Sequence, residues 1–367
     1  MKLKKFFTFT LVALAFAACS EPKSDDPAPA PTPKVSYTLS ADKTTVEVGE
    51  TITFTVTNSD NDDVTSNAKI YDSNLNEVGP QVVIENPGSY SFYATVGYTK
   101  SNYLYITVIS ELPKAPADPQ PENFTFNYRG LVIDQTGVNC GYCPYAVDQL
   151  RTLESTEWSK YYNEVTCHAG YYASGDPGNS AAANALNQFQ SSMISGYPCI
   201  LVNFYGVPNN YGYTEVIKVL QTYVEKDGVD VGVSLSVNGD ASCIYAGAKV
   251  KSGVAKKYKV TAWLLENNIS SPGQAGATKD YHKIYNHALR NMSHDYSRSN
   301  VQGAIYSFGA NETKDLSFKL PITSSSWKYE NMEVLVVVSA LNSKGYWDVA
   351  NSAVCKINET KAFEYDL

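Results

Sequence analysis

The chain has 367 residues, 43% of them hydrophobic and 18% charged, with a formal net charge of −8 and seven cysteines. That balance excludes a disordered, collagenous or multi-span membrane chain, and the acidic excess argues against nucleic acid as a partner. At roughly 100–200 residues per domain the length allows two or three domains, each able to bury a core. An odd cysteine total means that at least one has a task other than pairing within the chain.

Lys2, Lys4 and Lys5 precede an apolar run over residues 6–18 that closes on small residues before Cys19. Residues 1–18 read as a secretory signal peptide, too short for a permanent span. Leu14-Ala15-Phe16-Ala17-Ala18-Cys19 resembles a bacterial lipobox, in which cleavage precedes the cysteine and the cysteine carries the lipid. Ordinary cleavage, with Cys19 an incidental thiol, is the alternative. Residues 19–34 are rich in proline and have almost nothing to bury, so they predict an extended tether roughly 40 Å long. Glu21, Asp25 and Asp26 resemble signals that send some bacterial lipoproteins to the cell surface. The expected location is the outer membrane, lipid-anchored, on its periplasmic or cell-surface face.

Residues 35–110 carry short alternating segments, among them Thr51-Ile52-Thr53-Phe54-Thr55-Val56-Thr57 and Tyr103-Leu104-Tyr105-Ile106-Thr107-Val108. Period-two alternation of β-branched and aromatic residues predicts an all-β sandwich. Val48-Gly49-Glu50-Thr51-Ile52-Thr53-Phe54 and Pro87-Gly88-Ser89-Tyr90-Ser91-Phe92 resemble phrases of bacterial immunoglobulin-like domains, which implies a spacer or adhesive module. A proline-rich linker, residues 111–123, follows.

Over residues 124–228 strand-like runs alternate with helical ones. Leu131-Val132-Ile133 is apolar, while Val147, Leu150 and Leu153, then Leu186, Phe189 and Met193, then Val216, Leu220 and Val224 recur at helical spacing. That alternation predicts an α/β domain. At its first strand-to-helix junction stands Cys140-Gly141-Tyr142-Cys143-Pro144. A Cys-x-x-Cys at a helix start favours a thiolate at the first cysteine, which attacks a substrate disulfide, and the second cysteine resolves the mixed disulfide. A zinc site would need two further ligands, and neither a second Cys-x-x-Cys nor a His pair stands nearby. An inert structural bridge is the remaining alternative.

Gly196-Tyr197-Pro198-Cys199-Ile200-Leu201-Val202-Asn203 reads as a strand opening with proline. With the Cys-x-x-Cys helix it resembles the thioredoxin fold, which implies a cis Tyr197–Pro198 bond beside the dithiol. Thr136-Gly137, Cys140 to Pro144, and Tyr285-Asn286-His287-Ala288-Leu289-Arg290 resemble the bacterial lipoproteins grouped with the twenty-eight-kilodalton outer-membrane protein, over roughly residues 124–360. The resemblance implies a thioredoxin-like core, a β-rich C-terminal part, and His168 at the end of the strand facing the dithiol, with Asp176 in the same loop. Asn139 stands where thioredoxins carry tryptophan, and the Gly-Tyr dipeptide is similar to that of bacterial disulfide isomerases.

Residues 229–367 return to β. Val229, Val231, Val233, Leu235 and Val237 alternate, and Val334-Leu335-Val336-Val337-Val338 follows later, so a second sandwich is predicted. Cys243 and Cys355 each lie in a predicted strand and are candidates for a structural disulfide. The loop over residues 270–303 holds His282, His287 and His294, and docking against the preceding domain explains them better than a metal does. The 28 tyrosines suit strands and also glycan or protein recognition.

The expected fold is therefore multidomain α+β: an N-terminal Ig-like β-sandwich, a central thioredoxin-like α/β domain and a C-terminal β-sandwich. The candidate catalytic residues are Cys140, Cys143, Tyr197, Pro198 and His168, with lipid on Cys19 and no cofactor or metal. One functional reading is thiol–disulfide exchange with protein thiols or disulfides of the cell envelope. The other is a non-catalytic surface lipoprotein, an adhesin or scaffold with an inert bridge and a glycan or protein ligand.

Overall fold

In the computed structural model, residues 35–109, 112–224, 228–296 and 300–366 are described. The signal peptide, Cys19 and the tether over 19–34 lie outside them. The alternating segments of residues 35–109 form two sheets around one core. Tyr37–Ala41, Thr51–Asn58 and Gln81–Val83 make the smaller; Thr45–Glu47, Leu104–Ile109, Gly88–Val96, Lys69–Asp72 and Glu77–Val78 run in that order through the larger. Along Thr51–Asn58, Ile52, Phe54 and Val56 point inward, where the Phe54 ring meets Phe92 at 4.8 Å. The outer face of the larger sheet carries Tyr71 stacked on Tyr93 at 5.4 Å and Tyr103 edge-on to Tyr93 at 5.6 Å. Lys100 Nζ sits 3.5 Å from the Tyr93 ring centroid.

Three α-helices occur among the described residues: α1 (Cys143–Glu154), α2 (Ala181–Phe189) and α3 (Tyr213–Leu220). The strands of this part are β1 (Gly130–Thr136), β2 (Tyr162–His168), β3 (Cys199–Val202), β4 (Val231–Gly239), β5 (Cys243–Ser252), β6 (Lys256–Glu266), β7 (Ala288–Met292), β8 (Ala304–Phe308), β9 (Glu312–Pro321), β10 (Met332–Leu341) and β11 (Trp347–Lys356). The expected central thioredoxin-like α/β domain is not what forms. The chain is mostly β, and β1, β2 and β3 belong to one eight-stranded sheet of order β3-β1-β2-β7-β6-β10-β11, with β8 also on β6. The local signal is real: α1 connects β1 to the parallel β2. The outer edge of β2, however, is closed by β7, at Thr166↔Ala288, where Thr166 N–H donates to the His287 carbonyl (2.9 Å) and Thr166 Oγ1 to the Asn286 carbonyl (2.7 Å). A pairing across 120 residues leaves no mark in local periodicity.

This sheet buries both faces. Val260, Ala262, Leu264, Val334, Val336 and Val338 face a core shared with a four-stranded sheet of β9, β5, β4 and Thr360–Lys361. Trp263, Leu265, Leu335 and Val337 face a second core shared with α2, Leu131, Ile133 and Val165. That double burial produces the continuous apolar run of β10. α1 and α3 cover Val132 and Val202 on the face of β1 and β3 away from α2. α2 stops at Phe189, so Met193, which shares the helical spacing of Leu186 and Phe189, packs beyond the helix.

The proline-rich linker lies on the outer face of β5. A Cβ on Gly247 would stand 1.6 Å from the Pro113 carbonyl oxygen, so only glycine admits this crossing. Nearby, the buried Lys251 ammonium meets Asp118 Oδ2 (2.7 Å), the Gln120 carbonyl (2.9 Å) and Tyr365 Oη (3.1 Å).

The bridge expected between Cys243 and Cys355 is absent, and both thiols are free. On β5 the residues facing the sandwich core are Ile244, Ala246, Ala248 and Val250, so Cys243 lies on the opposite face, while Cys355 points into that core from β11. Alternation alone separates them.

Candidate functional site

Cys140 and Cys143 form a disulfide with Cα atoms 5.4 Å apart. α1 begins at Cys143, so the second cysteine rather than the first opens the helix, with Pro144 in its first turn where the missing N–H costs nothing. Both cysteines are buried, at 2% and 1% exposure, whereas Tyr142 between them is 69% exposed.

The cover comes from residues 271–277. Gln274 Nε2 donates to the Cys140 carbonyl at 3.1 Å, and Ala275 N–H donates to the Val138 carbonyl at 2.8 Å. Gly276, at φ +70°, lies so close to the Gly141 carbonyl that a Cβ would approach its oxygen to 2.1 Å. Tyr285 Oη donates to Gln274 Oε1 (2.6 Å), accepts from Ser271 Oγ (2.7 Å), and its ring lies 4.0 Å from that of His168. A continuous network thus joins the strand end at His168 to the backbone of Cys140.

His168 Nδ1 sits 3.0 Å from Asp176 Oδ2, and the same oxygen accepts the Val138 N–H at 2.6 Å. Burial alone would raise the Asp176 carboxyl; the hydrogen bond and charge of His168 outweigh it and hold the group below its ordinary range. The other histidines are committed too. His282 Nε2 lies 3.0 Å from Asp148 Oδ1 on α1, which also accepts from Tyr281 Oη (2.6 Å) and Lys279 Nζ (2.9 Å), so the loop docks on that helix. His287 Nδ1 lies 2.6 Å from Glu333 Oε1, and His294 bonds the Asn300 carbonyl and Thr261 Oγ1.

The Tyr197–Pro198 bond is cis. Tyr197 Oη accepts from Asn187 Nδ2 at 2.7 Å, and the ring meets Tyr172 edge-on at 5.6 Å. Cys199 follows and pairs with Gln135, which pairs on its other side with Cys167. Two interstrand spacings separate those cysteines by roughly 9–10 Å, beyond the ~7 Å that a disulfide spans. Both are free. Cys167 donates to the Ala183 carbonyl at 3.0 Å and burial pushes its thiol up; burial, then the Asp134 charge, pushes Cys199 up to about 11. Neither is a thiolate at neutral pH.

Several residues with structural weight escaped the sequence reading. Gln274 and Gly276 sit in a loop with no local signal. The buried Arg290 donates from Nε to Glu266 Oε2 at 2.6 Å, with exposures of 2% and 3%, and only the tyrosine-to-arginine motif hinted at it. Asp134 interrupts the apolar opening of β1 and is 1% exposed.

No curated protein matches the chain. Among solved structures, the GH3 beta-glucosidase of Bifidobacterium adolescentis aligns at TM-score 0.17 and 18% identity, over 35% of this chain and 17% of that one, too little for any argument. HBP35 of Porphyromonas gingivalis aligns at TM-score 0.53 and 16% identity, over 65% of this chain and 78% of that one, a likeness of fold alone. The family evidence lies in the second half of the chain: residues 186–361, which carry α3, the covering loop and the strands of the double-cored sheet but neither Cys140 nor Cys143, match the family described as outer membrane protein Omp28.

Proposed function

We propose that this chain is a lipid-anchored outer-membrane protein, held through Cys19 and its tether, that works through its binding surfaces, with Cys140–Cys143 as a fixed cross-link. The match of residues 186–361 supports the membrane, and the lipobox resemblance supports the anchor. The observation that carries the non-catalytic reading is the burial of both cysteines, with residues 271–277 packed on the backbone of the motif and Gln274 on the Cys140 carbonyl. An exchanging dithiol needs an accessible first sulfur, because the partner thiolate approaches along the bond that breaks. The surface that suits recognition is the tyrosine row of Tyr71, Tyr93 and Tyr103, whose rings can stack against the flat faces of sugars while Lys100 meets their hydroxyls.

Expression of full-length Cys143→Ser in the native envelope tests this reading. Cys140 should form no mixed disulfides with envelope proteins, and the wild-type bridge should persist in a mild reductant. Specific Cys140-linked adducts would overturn it in favour of thiol–disulfide exchange.

A further inference from the structure

Beneath the covering loop, between α1 and the sheet, lies a cavity of about 380 Å³ bounded on one side by Cys143. Its floor is polar. On the α2 side of β1 and β2 stand Leu131, Ile133, Val165 and Cys167, all in a core. The side facing α1 carries instead Asp134, Thr136, Glu164, Thr166 and His168, all lining the cavity. Two neighbouring strands of one sheet thus direct hydrocarbon one way and hydrogen-bonding groups the other, under a helix that elsewhere packs on Val132.

Asp134 is the sharpest feature. It is 1% exposed, and its Oδ1 has no hydrogen-bond partner among the described residues. Leaving a buried polar group unpaired is destabilising, so the fold keeps it at a loss unless something else completes it. Glu164, two residues from the register partner of Asp134 on the adjacent strand, stands roughly 8 Å away by strand geometry. The lining histidines His168, His282 and His287 are each bound to a carboxylate of their own, and the pull of His287 on Glu164 is outweighed by burial. From α1, Arg151 lies over the Tyr281 ring, and Glu154 adds another acid. Tyr281 and Tyr285 complete the titratable lining from the loop. Carboxyls without a partner therefore exceed free cations. No three His, Cys, Asp or Glu side chains among the described residues converge where they could hold a metal ion.

We propose that this cavity binds a small organic ammonium ion, its charge seated between Asp134 and Glu164 and its polar body against Thr136, Thr166 and Gln274. The volume falls at the small end of ligand pockets. Burial raises both carboxyls of the empty cavity, Asp134 to about 8 with Glu164 adding to its shift, so a cation must displace protons on binding. Affinity therefore climbs with pH until both carboxyls are ionised, by about ten-fold or more between pH 6 and pH 7. The proposal is independent of whether the disulfide exchanges.

Titration calorimetry on the full chain tests it, with n-butylammonium, 1,4-diaminobutane and glucosamine each set against n-butanol, 1,4-butanediol and glucose. At least one ammonium should bind ten-fold or more tightly than its neutral counterpart, releasing about one proton or more at pH 7. Asp134→Asn should weaken that binding at least ten-fold and flatten its rise with pH; if that variant fails to fold, Glu164→Gln serves, with a smaller loss. Equal binding of ammonium and neutral probes, binding by none, or undiminished affinity in the folded variant would overturn the proposal.

Discussion

Thr51–Asn58 in the N-terminal sandwich and β10 in the large sheet are both central strands, yet they bury their side chains differently. The first sends Ile52, Phe54 and Val56 to one core and leaves its threonines half-buried or exposed on the other face. The second sends Val334, Val336 and Val338 to one core and Leu335 and Val337 to another. A strand with one wet face can accept polar substitution on that face, whereas on a strand between two cores an ionised side chain is costly unless a partner is buried with it. Arg290 and Glu266 are such a pair, and the tyrosines of the N-terminal sandwich are its opposite, aromatic rings left in water.

The strongest way to break that contrast is Arg290→Ala. It strands the Glu266 carboxylate in the interior, and the unfolding free energy of residues 124–366 should fall by about 3–5 kcal/mol. Tyr105→Ala, at a residue 68% exposed on the N-terminal sheet, should stay within about 0.5 kcal/mol. Denaturant unfolding of the two variants reads both, and comparable losses would refute the distinction.

A middle-sized effect belongs to Gly276→Ala. A side chain there meets the Gly141 carbonyl and an unfavourable backbone angle together, for a cost of about 1–3 kcal/mol. The loop should lift, and the Cys140–Cys143 bridge should be reduced several-fold faster in thiol-exchange kinetics. An unchanged rate would mean that residues 271–277 do not protect it.

The smallest effect is a pH dependence at the seam between β2 and β7. Burial works against the His287 charge, but the Glu333 hydrogen bond outweighs it and raises the group above its ordinary 6.5. Its contribution is therefore full below about pH 6.5 and fades as pH rises through the folded value. Glu333, held below its ordinary 4.5 against the effect of burial, contributes above about pH 4.5 and loses that contribution as pH falls through its folded value. The pair supports the fold most between those limits. His287 keeps 39% of its side chain in solvent, so screening holds the effect under about 1 kcal/mol. Melting of His287→Gln against wild type should differ more at pH 6 than at pH 8.

The same contrast explains what was legible in the sequence. Alternation identified Thr51–Asn58 and Leu104–Ile109 because one wet face leaves a period of two. An apolar run followed by helical spacing identified β1 and α1 because their connection is local, and the family resemblance added the strand that ends at His168. The resemblance to the thioredoxin fold assigned that unit to a separate domain because nothing local records that Thr166 pairs beside Ala288. The Cys-x-x-Cys motif announced the disulfide, but its accessibility depends on Gln274 and Gly276, more than 130 residues later and in a loop without periodicity. Asp134 was visible as a carboxyl after an apolar run, yet only the sheet shows that it shares a face with Glu164 and not with Leu131.

The crossing of the linker over β5 has a mechanical consequence. If the N-terminus is fixed in a membrane, tension from a ligand held elsewhere on the molecule must run through residues 112–121. That load meets the sheet where Asp118 and the Gln120 carbonyl grip the Lys251 ammonium. The Tyr365 hydroxyl bonds the same Asp118, so the linker and the C-terminal segment are fastened at one point. The linker is thus an anchored strap rather than a free hinge, and pulling the strap loose would uncover a buried cation.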